Sequence, residues 1–135
     1  MISEAEACVE KLARYRRVSL GRDLYDLAQF AERRLDESLI RRLWVLKVWR
    51  DVVDDGRGSK PLDPAEVLRE RREQEFAPES IGKLTRPVEI QVWERRVRTR
   101  FAFLADLDEA EQRWATCNAR DRGEVQAACQ AGGFG

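Results

Sequence analysis

The chain has 135 residues, with 25 Lys+Arg against 25 Asp+Glu and a formal net charge of zero, one domain's length with no global electrostatic pull toward nucleic acid or an anionic membrane. Hydrophobic residues make up 43% and charged residues 37%, enough for a core under a charged surface and too apolar for an extended disordered chain. There is no histidine, which excludes His-based triads, Cys–His dyads and imidazole general bases, so any chemistry must rest on carboxylates, lysine, arginine or hydroxyls.

Cys8, Cys117 and Cys129 cannot all pair internally and form no C-x-x-C, so reduced thiols and a cytoplasmic setting are expected. The apolar runs are short and the N-terminus MISEAEACVEK is acidic and interrupted, so neither a membrane span nor a signal peptide is expected. With 8 Gly, 4 Pro and almost no alternating β-branched run, the pattern predicts an all-α fold, an irregular bundle of about five to six helices.

The elements follow in chain order. Ser3, with Glu6 at capping-box spacing, opens a short amphipathic helix carrying Cys8, Val9, Leu12 and Ala13. A second helix is expected over residues 22–34, with Leu24, Leu27, Ala28 and Ala31 on one face and Arg33 and Arg34 at its negative end. SLIRRLWVLKVWRDVVDD, residues 38–55, has too wide an apolar arc for a surface helix and is expected at the centre of the core. Residues 1–55 are thus motif-bearing core helices, and 56–64, rich in Gly, Pro and Asp, an exposed loop or hinge.

Asp63, Pro64 and Glu66 then start a charged helix to about residue 75, in which RERREQE reads as mostly a solvated face. Residues 76–87 are expected to be irregular, with a turn at PESIG. A long amphipathic helix over 88–105 carries Ile90, Trp93, Val97, Phe101 and Leu104, and Asp108 with Glu111 caps the next. That helix should hold Trp114 and Cys117 to near Asn118, followed by a weak helix over 120–131 and a frayed tail at 132–135.

One stretch concentrates charge. EKLARYRRVSLGRDLYDL, residues 10–27, crowds Lys11, Arg14, Arg16, Arg17 and Arg22 around Asp23 and Asp26. Cations can neutralise polyphosphate, and a carboxylate can hold Mg²⁺ or orient a nucleophile. The residues alone leave a plainer account open, in which Arg22 and Asp26, four apart on a helix, form an ordinary ion pair.

The string ACVEKLARYRR at 7–17, followed by GRDLYDL at 21–27, resembles the C-terminal motifs of the AbiEii/AbiGii nucleotidyltransferase toxins of type IV toxin-antitoxin systems. The likeness is sharp over residues 4–30, and the remainder is broadly like that family's variable helical lobe. The resemblance implies transfer of a nucleotide from an NTP, with Mg²⁺, to the 3′ end of tRNA at an interface between two lobes. On it, Lys11 contacts triphosphate, Asp23 is the catalytic acidic residue, and Arg14, Arg22 and Asp26 support them. The family's early Gly-Ser turn and D-x-D are not found upstream of residue 4, so a catalytic head from another chain or domain, and a cognate antitoxin, are the implied partners. The chain alone is then expected to be inactive, holding no metal, since two-metal transfer needs paired carboxylates.

The D-x-D at 106–108 reads as a helix junction with caps rather than a metal site. WERRVRTRF, residues 93–101, offers Arg95, Arg96, Arg98 and Arg100 as possible tRNA contacts. Against that, 21 of the 25 cations are arginine, so local arginine density is weak evidence. Trp44, Trp49, Trp93 and Trp114 fall in apolar stripes and read as core, and Cys8 as packing. The leading expectation is the helical C-terminal part of a nucleotidyltransferase toxin, a split chain or a truncation product. The alternative is a non-catalytic helical module that binds tRNA or a protein partner, or a remnant without activity.

Overall fold

The computed structural model describes residues 3–76 and 87–132. Helix α1 (Glu4–Tyr15) begins where expected, because the Ser3 hydroxyl accepts the Glu6 amide at 3.1 Å. Its apolar face, Cys8, Val9, Leu12, Ala13 and Tyr15, is buried. Helix α2 (Gly21–Phe30) ends four residues short of expectation: the Glu32 and Arg33 amides tighten onto the Gln29 and Phe30 carbonyls at 3.2 and 3.0 Å, a three-residue closure that terminates a helix. Arg33 therefore lies over the Phe30 ring at 5.1 Å instead of capping a longer helix.

Helix α3 (Glu37–Val53) starts at Asp36, whose carboxylate accepts the Leu39 amide at 3.2 Å. Ile40, Leu43, Trp44, Val45, Leu46, Val48 and Trp49 are buried around most of its circumference, the signature of a helix wrapped by others. It is the central element: α1 packs on it and on α2, and both C-terminal helices introduced below reach it.

Residues 54–64 are mostly exposed, as expected, yet the loop is tied down from beneath. Leu62 is buried and its amide donates to the Ala115 carbonyl at 2.7 Å. The Arg16 guanidinium, also buried, holds the Ser59 carbonyl and pairs with Glu66 at 3.1 Å. Gly58 has φ +92, and a Cβ there would come within 2.7 Å of Arg16 Nη1. The expected hinge is thus a strap over Arg16.

Helix α4 is only Ala65–Leu68, where a helix to about residue 75 was expected. In a continued helix the Glu66 and Val67 carbonyls would accept the amides of residues 70 and 71. Here they accept the Arg71 guanidinium at 2.7 and 3.1 Å, while the Arg71 amide donates to Glu94 at 3.2 Å. The same guanidinium reaches the Tyr15 carbonyl at 2.8 Å and Ser19 Oγ at 3.1 Å, and lies 3.8 Å from the Tyr15 ring centroid. Burial pulls its pKa down, with the Tyr15 side working in the other direction. RERREQE is mostly exposed, as expected, with Arg71 the buried exception, but a 3₁₀ turn, Glu73–Glu75, replaces the helix.

Helix α5 (Pro87–Arg100) packs on α2 and gives way at buried Phe101 to a 3₁₀ turn, Ala102–Ala105, which shortens the expected 88–105 helix. Asp108 opens α6 (Glu109–Trp114) through a full capping box with Glu111. Glu111 has no solvent exposure and receives Arg41 at 2.7 Å and Arg42 at 3.4 Å, fastening α6 to α3. Partial burial pushes the Asp108 carboxyl up, but the Glu111 amide and Arg42 bring it below its usual range. The D-x-D at 106–108 is the junction expected of it. Helix α6 stops at Trp114 rather than near Asn118, because Cys117 takes a left-handed φ of +54. Asn118 caps a 3₁₀ turn, Ala119–Asp121, and α7 (Arg122–Ala131) closes the chain.

Among the described residues the fold is all-α, with seven helices where about five to six were expected, and α4 and α6 are present but shorter than the sequence suggested. The PESIG turn and the last three residues lie outside the described residues. Gly56, with φ +64, has open space where a Cβ would sit. Gly58→Ala should therefore cost about 2–3 kcal/mol and Gly56→Ala about 1, read as chemical-denaturation midpoints at unchanged slope. Equal costs would show that Arg16 yields freely.

Candidate functional site

Helices α1 and α2 form a hairpin, and its charges pair as two nested rungs. The inner rung, nearer the turn, is Arg14–Asp23: Nε donates to Oδ2 at 2.7 Å and Nη2 to Oδ1 at 2.6 Å. Lys11 and Asp26, each three residues farther from the turn, make the outer rung at 2.9 Å. The spacing explains the nesting, because residues three apart lie on one helix face. Asp26 thus pairs across the hairpin with Lys11, and the expected Arg22–Asp26 pair within α2 does not form. Arg22 is exposed.

The rungs differ in environment. Asp23 is 0% exposed and both its oxygens are engaged bidentately, so it cannot meet a substrate or ion without breaking the rung. Asp23, expected as the catalytic acid, is in this conformation spent on Arg14, and its position sets the register of α1 on α2. Arg14 is consumed in the same bond, which raises its pKa, with burial opposing. The Lys11 and Asp26 side chains keep 27% and 38% exposure. Both are half-buried and reachable from solvent, as is Arg14 at 41%, so the burial of Asp23 is what sets the inner rung apart, and a partly exposed pair opens at little cost.

The α5 arginines are largely spoken for. Arg96 pairs with Glu32 at 3.0 Å, Arg98 with Glu94 at 2.6 Å and Arg100 with Glu37 at 2.7 Å. Arg95 is exposed at a cleft of about 330 Å³ that also presents Glu70, Glu73 and Glu94. Acidic partners on the same surface weaken the attraction for phosphates that the arginine count suggested. Trp44, Trp49 and Trp114 are core, as expected, while Trp93 is only half-buried and meets the Tyr25 ring. Tyr25 stands out only in the structure; its one sequence signal is that it lies on the α2 face shared by Arg22 and Asp26.

All three cysteines are buried and free. Burial pushes the Cys8 thiol up to about 12 and raises Cys117 and Cys129 as well, which removes them as nucleophiles. Among the described residues no group of three or more His, Cys, Asp or Glu is placed to hold a metal, and no helix is long and apolar enough to cross a membrane.

The chain is similar to MenT4, a nucleotidyltransferase toxin from Mycobacterium tuberculosis H37Rv, with a TM-score of 0.92 and 63% identity. The match covers 97% of this chain and 45% of that one, so the chain spans less than half of MenT4's length. No family model and no curated protein matches it. At this identity over nearly its whole length, the chain is a relative of a nucleotidyltransferase toxin.

The two rungs should separate in stability. Arg14→Ala leaves a buried carboxylate without its partner and should cost about 2–3 kcal/mol, less than in a fully buried pair because Arg14 itself is partly exposed, whereas Lys11→Ala and Asp26→Ala should each cost less than about 1 kcal/mol. Urea unfolding of the three variants measures this. Comparable losses in all three would contradict the division.

Proposed function

We propose that this chain is the C-terminal helical part of an AbiEii-like nucleotidyltransferase toxin of a type IV toxin-antitoxin system. It contributes phosphate- and substrate-contacting residues to transfer of a nucleotide from an NTP to tRNA. The observation that carries the reading is the outer rung: a solvent-reachable lysine and carboxylate, held at fixed register by the bond of Arg14 to buried Asp23, in a relative of a nucleotidyltransferase toxin.

The chemistry follows from the charges. Phosphoryl and nucleotidyl transfer is mainly a matter of positioning and charge neutralisation. In the resting state Asp26 orders the Lys11 ammonium. An arriving triphosphate offers a stronger charge-assisted partner, so Lys11 turns to a phosphate oxygen and Asp26 is released. The freed carboxylate then faces the reacting centre, where it accepts a proton from the attacking hydroxyl. Arg22, four residues before Asp26, supports the phosphates, and the Arg14–Asp23 rung positions both helices.

Mg²⁺ supplies Lewis-acid stabilisation of the triphosphate in such transfers. One reachable carboxylate does not fit an ion held by this chain alone, so the remaining carboxylates belong to a catalytic head, another part of the protein or a separate chain. The partners proposed are that head, a cognate antitoxin and tRNA, in a cytoplasm that keeps the thiols reduced.

The test is labelled-NTP transfer to tRNA by the chain assembled with its head. Lys11→Ala and Asp26→Ala should each lower turnover by about 100-fold or more with folding intact. Asp23→Asn should lower stability before it lowers turnover of the folded fraction. Undiminished transfer in Lys11→Ala would refute the assignment, and salt-sensitive tRNA binding with no incorporation in the assembled protein would favour a non-catalytic binding module.

A further inference from the structure

The outer rung has an aromatic neighbour that the chemistry above does not use. Helix α2 turns Arg22, Tyr25 and Asp26 to one side, positions three and four apart, with roughly 5–6 Å between such Cβ atoms. Tyr25 is 47% exposed. Its ring is not loose: the Trp93 ring on α5 meets it at 5.2 Å between centroids and 74° between planes. Val92, the residue before that indole, is 51% exposed. Two of the large apolar side chains left in solvent among the described residues thus adjoin one half-buried indole, next to the one reachable Lys–carboxylate rung of the hairpin.

This placement has a specific chemical consequence. A tyrosine braced edge-on by a tryptophan has little rotamer freedom left to lose when a second flat group lies against it. Every nucleobase has a π-face, and stacking on an aromatic side chain discriminates poorly among bases. Lys11 reaches Asp26, the residue directly after Tyr25, at 2.9 Å. Around the helix Arg22 lies between Tyr25, which meets α5, and Asp26, which meets Lys11 on α1, so cations for phosphate flank the platform for a base.

We propose that Tyr25 is the stacking platform for the base of the incoming nucleoside triphosphate, with Trp93 as its brace and Lys11 and Arg22 on the phosphates. The inference rests on the nucleotidyl-transfer reading for its choice of ligand. It adds that this half of the site grips purine and pyrimidine nucleotides alike, so that any choice of base is made by groups elsewhere. Tyr25 is then a positioning residue for the base, separable from the phosphate contact of Lys11.

The experiment is titration of the full chain with ATP, UTP and inorganic tripolyphosphate, followed through the tyrosine ring signals by NMR. The sequence has two tyrosines, and buried Tyr15 serves as the internal reference. Both nucleotides should shift the Tyr25 ring protons and bind about tenfold tighter than tripolyphosphate, which should leave that ring unmoved. Tyr25→Ala should erase the tenfold gap without altering tripolyphosphate binding, and Tyr25→Phe should retain it. Unmoved Tyr25 signals with both nucleotides, or nucleotide affinity unchanged in Tyr25→Ala, would overturn the platform. Lys11→Ala reports separately: lost tripolyphosphate binding supports the phosphate reading, whereas retained binding with a responding Tyr25 ring would sink that reading and leave the stacking in place.

Discussion

A carboxylate withdrawn wholly from water is tolerable only if another charge and good hydrogen-bond geometry replace the lost hydration. Asp23 meets that condition through both Arg14 nitrogens, and the condition has structural reach. Shifting α2 along α1 by even one residue would leave the carboxylate unpaired in the core. The rung therefore specifies the register of the hairpin, and that register sets Lys11 opposite Asp26 and turns Tyr25 toward α5. The surface that carries Lys11, Asp26 and Tyr25 inherits its geometry from the Arg14–Asp23 bond.

The same device recurs across the fold. Buried Glu111 gathers Arg41 and Arg42 to fix α6 on α3, and buried Glu94 takes the Arg71 amide and Arg98 to fix the segment after α4 on α5. Arg71 spreads its donors over three carbonyls and a hydroxyl, and Arg16 straps the 54–64 loop. A lysine presents a point charge and could not serve several acceptors at fixed angles; guanidinium can. The dominance of arginine over lysine, which made local arginine counts uninformative about ligands, thus has a structural use in this chain.

Helix beginnings at Ser3 and Asp108 were legible in the sequence because a cap is a local interaction spanning three residues, whereas α3, expected from residue 38, starts on the Asp36 cap instead. The central placement of α3 was legible from the width of its apolar arc. Helix ends were not: α4 stops because Arg71 finds the Tyr15 carbonyl 56 residues away, a contact no local pattern encodes. The site divides in the same way. Residue types at 11, 14, 22, 23 and 26 could be picked out, but their pairing could not, since local spacing favours Arg22–Asp26 and only the hairpin brings Lys11 to Asp26. Burial then separates the two aspartates, withdrawing Asp23 and leaving Asp26 reachable, and it is a property of α1 and α2 together.

The most direct test is a pair of double-mutant cycles on the two rungs, which measure each coupling free of the separate effects of the single substitutions. The account predicts a coupling of about 2 kcal/mol or more for Arg14–Asp23 and below about 0.5 kcal/mol for Lys11–Asp26 at moderate salt. A strong outer and weak inner coupling would contradict it, for the reachable pair would then be the structural one and Asp23 free to act.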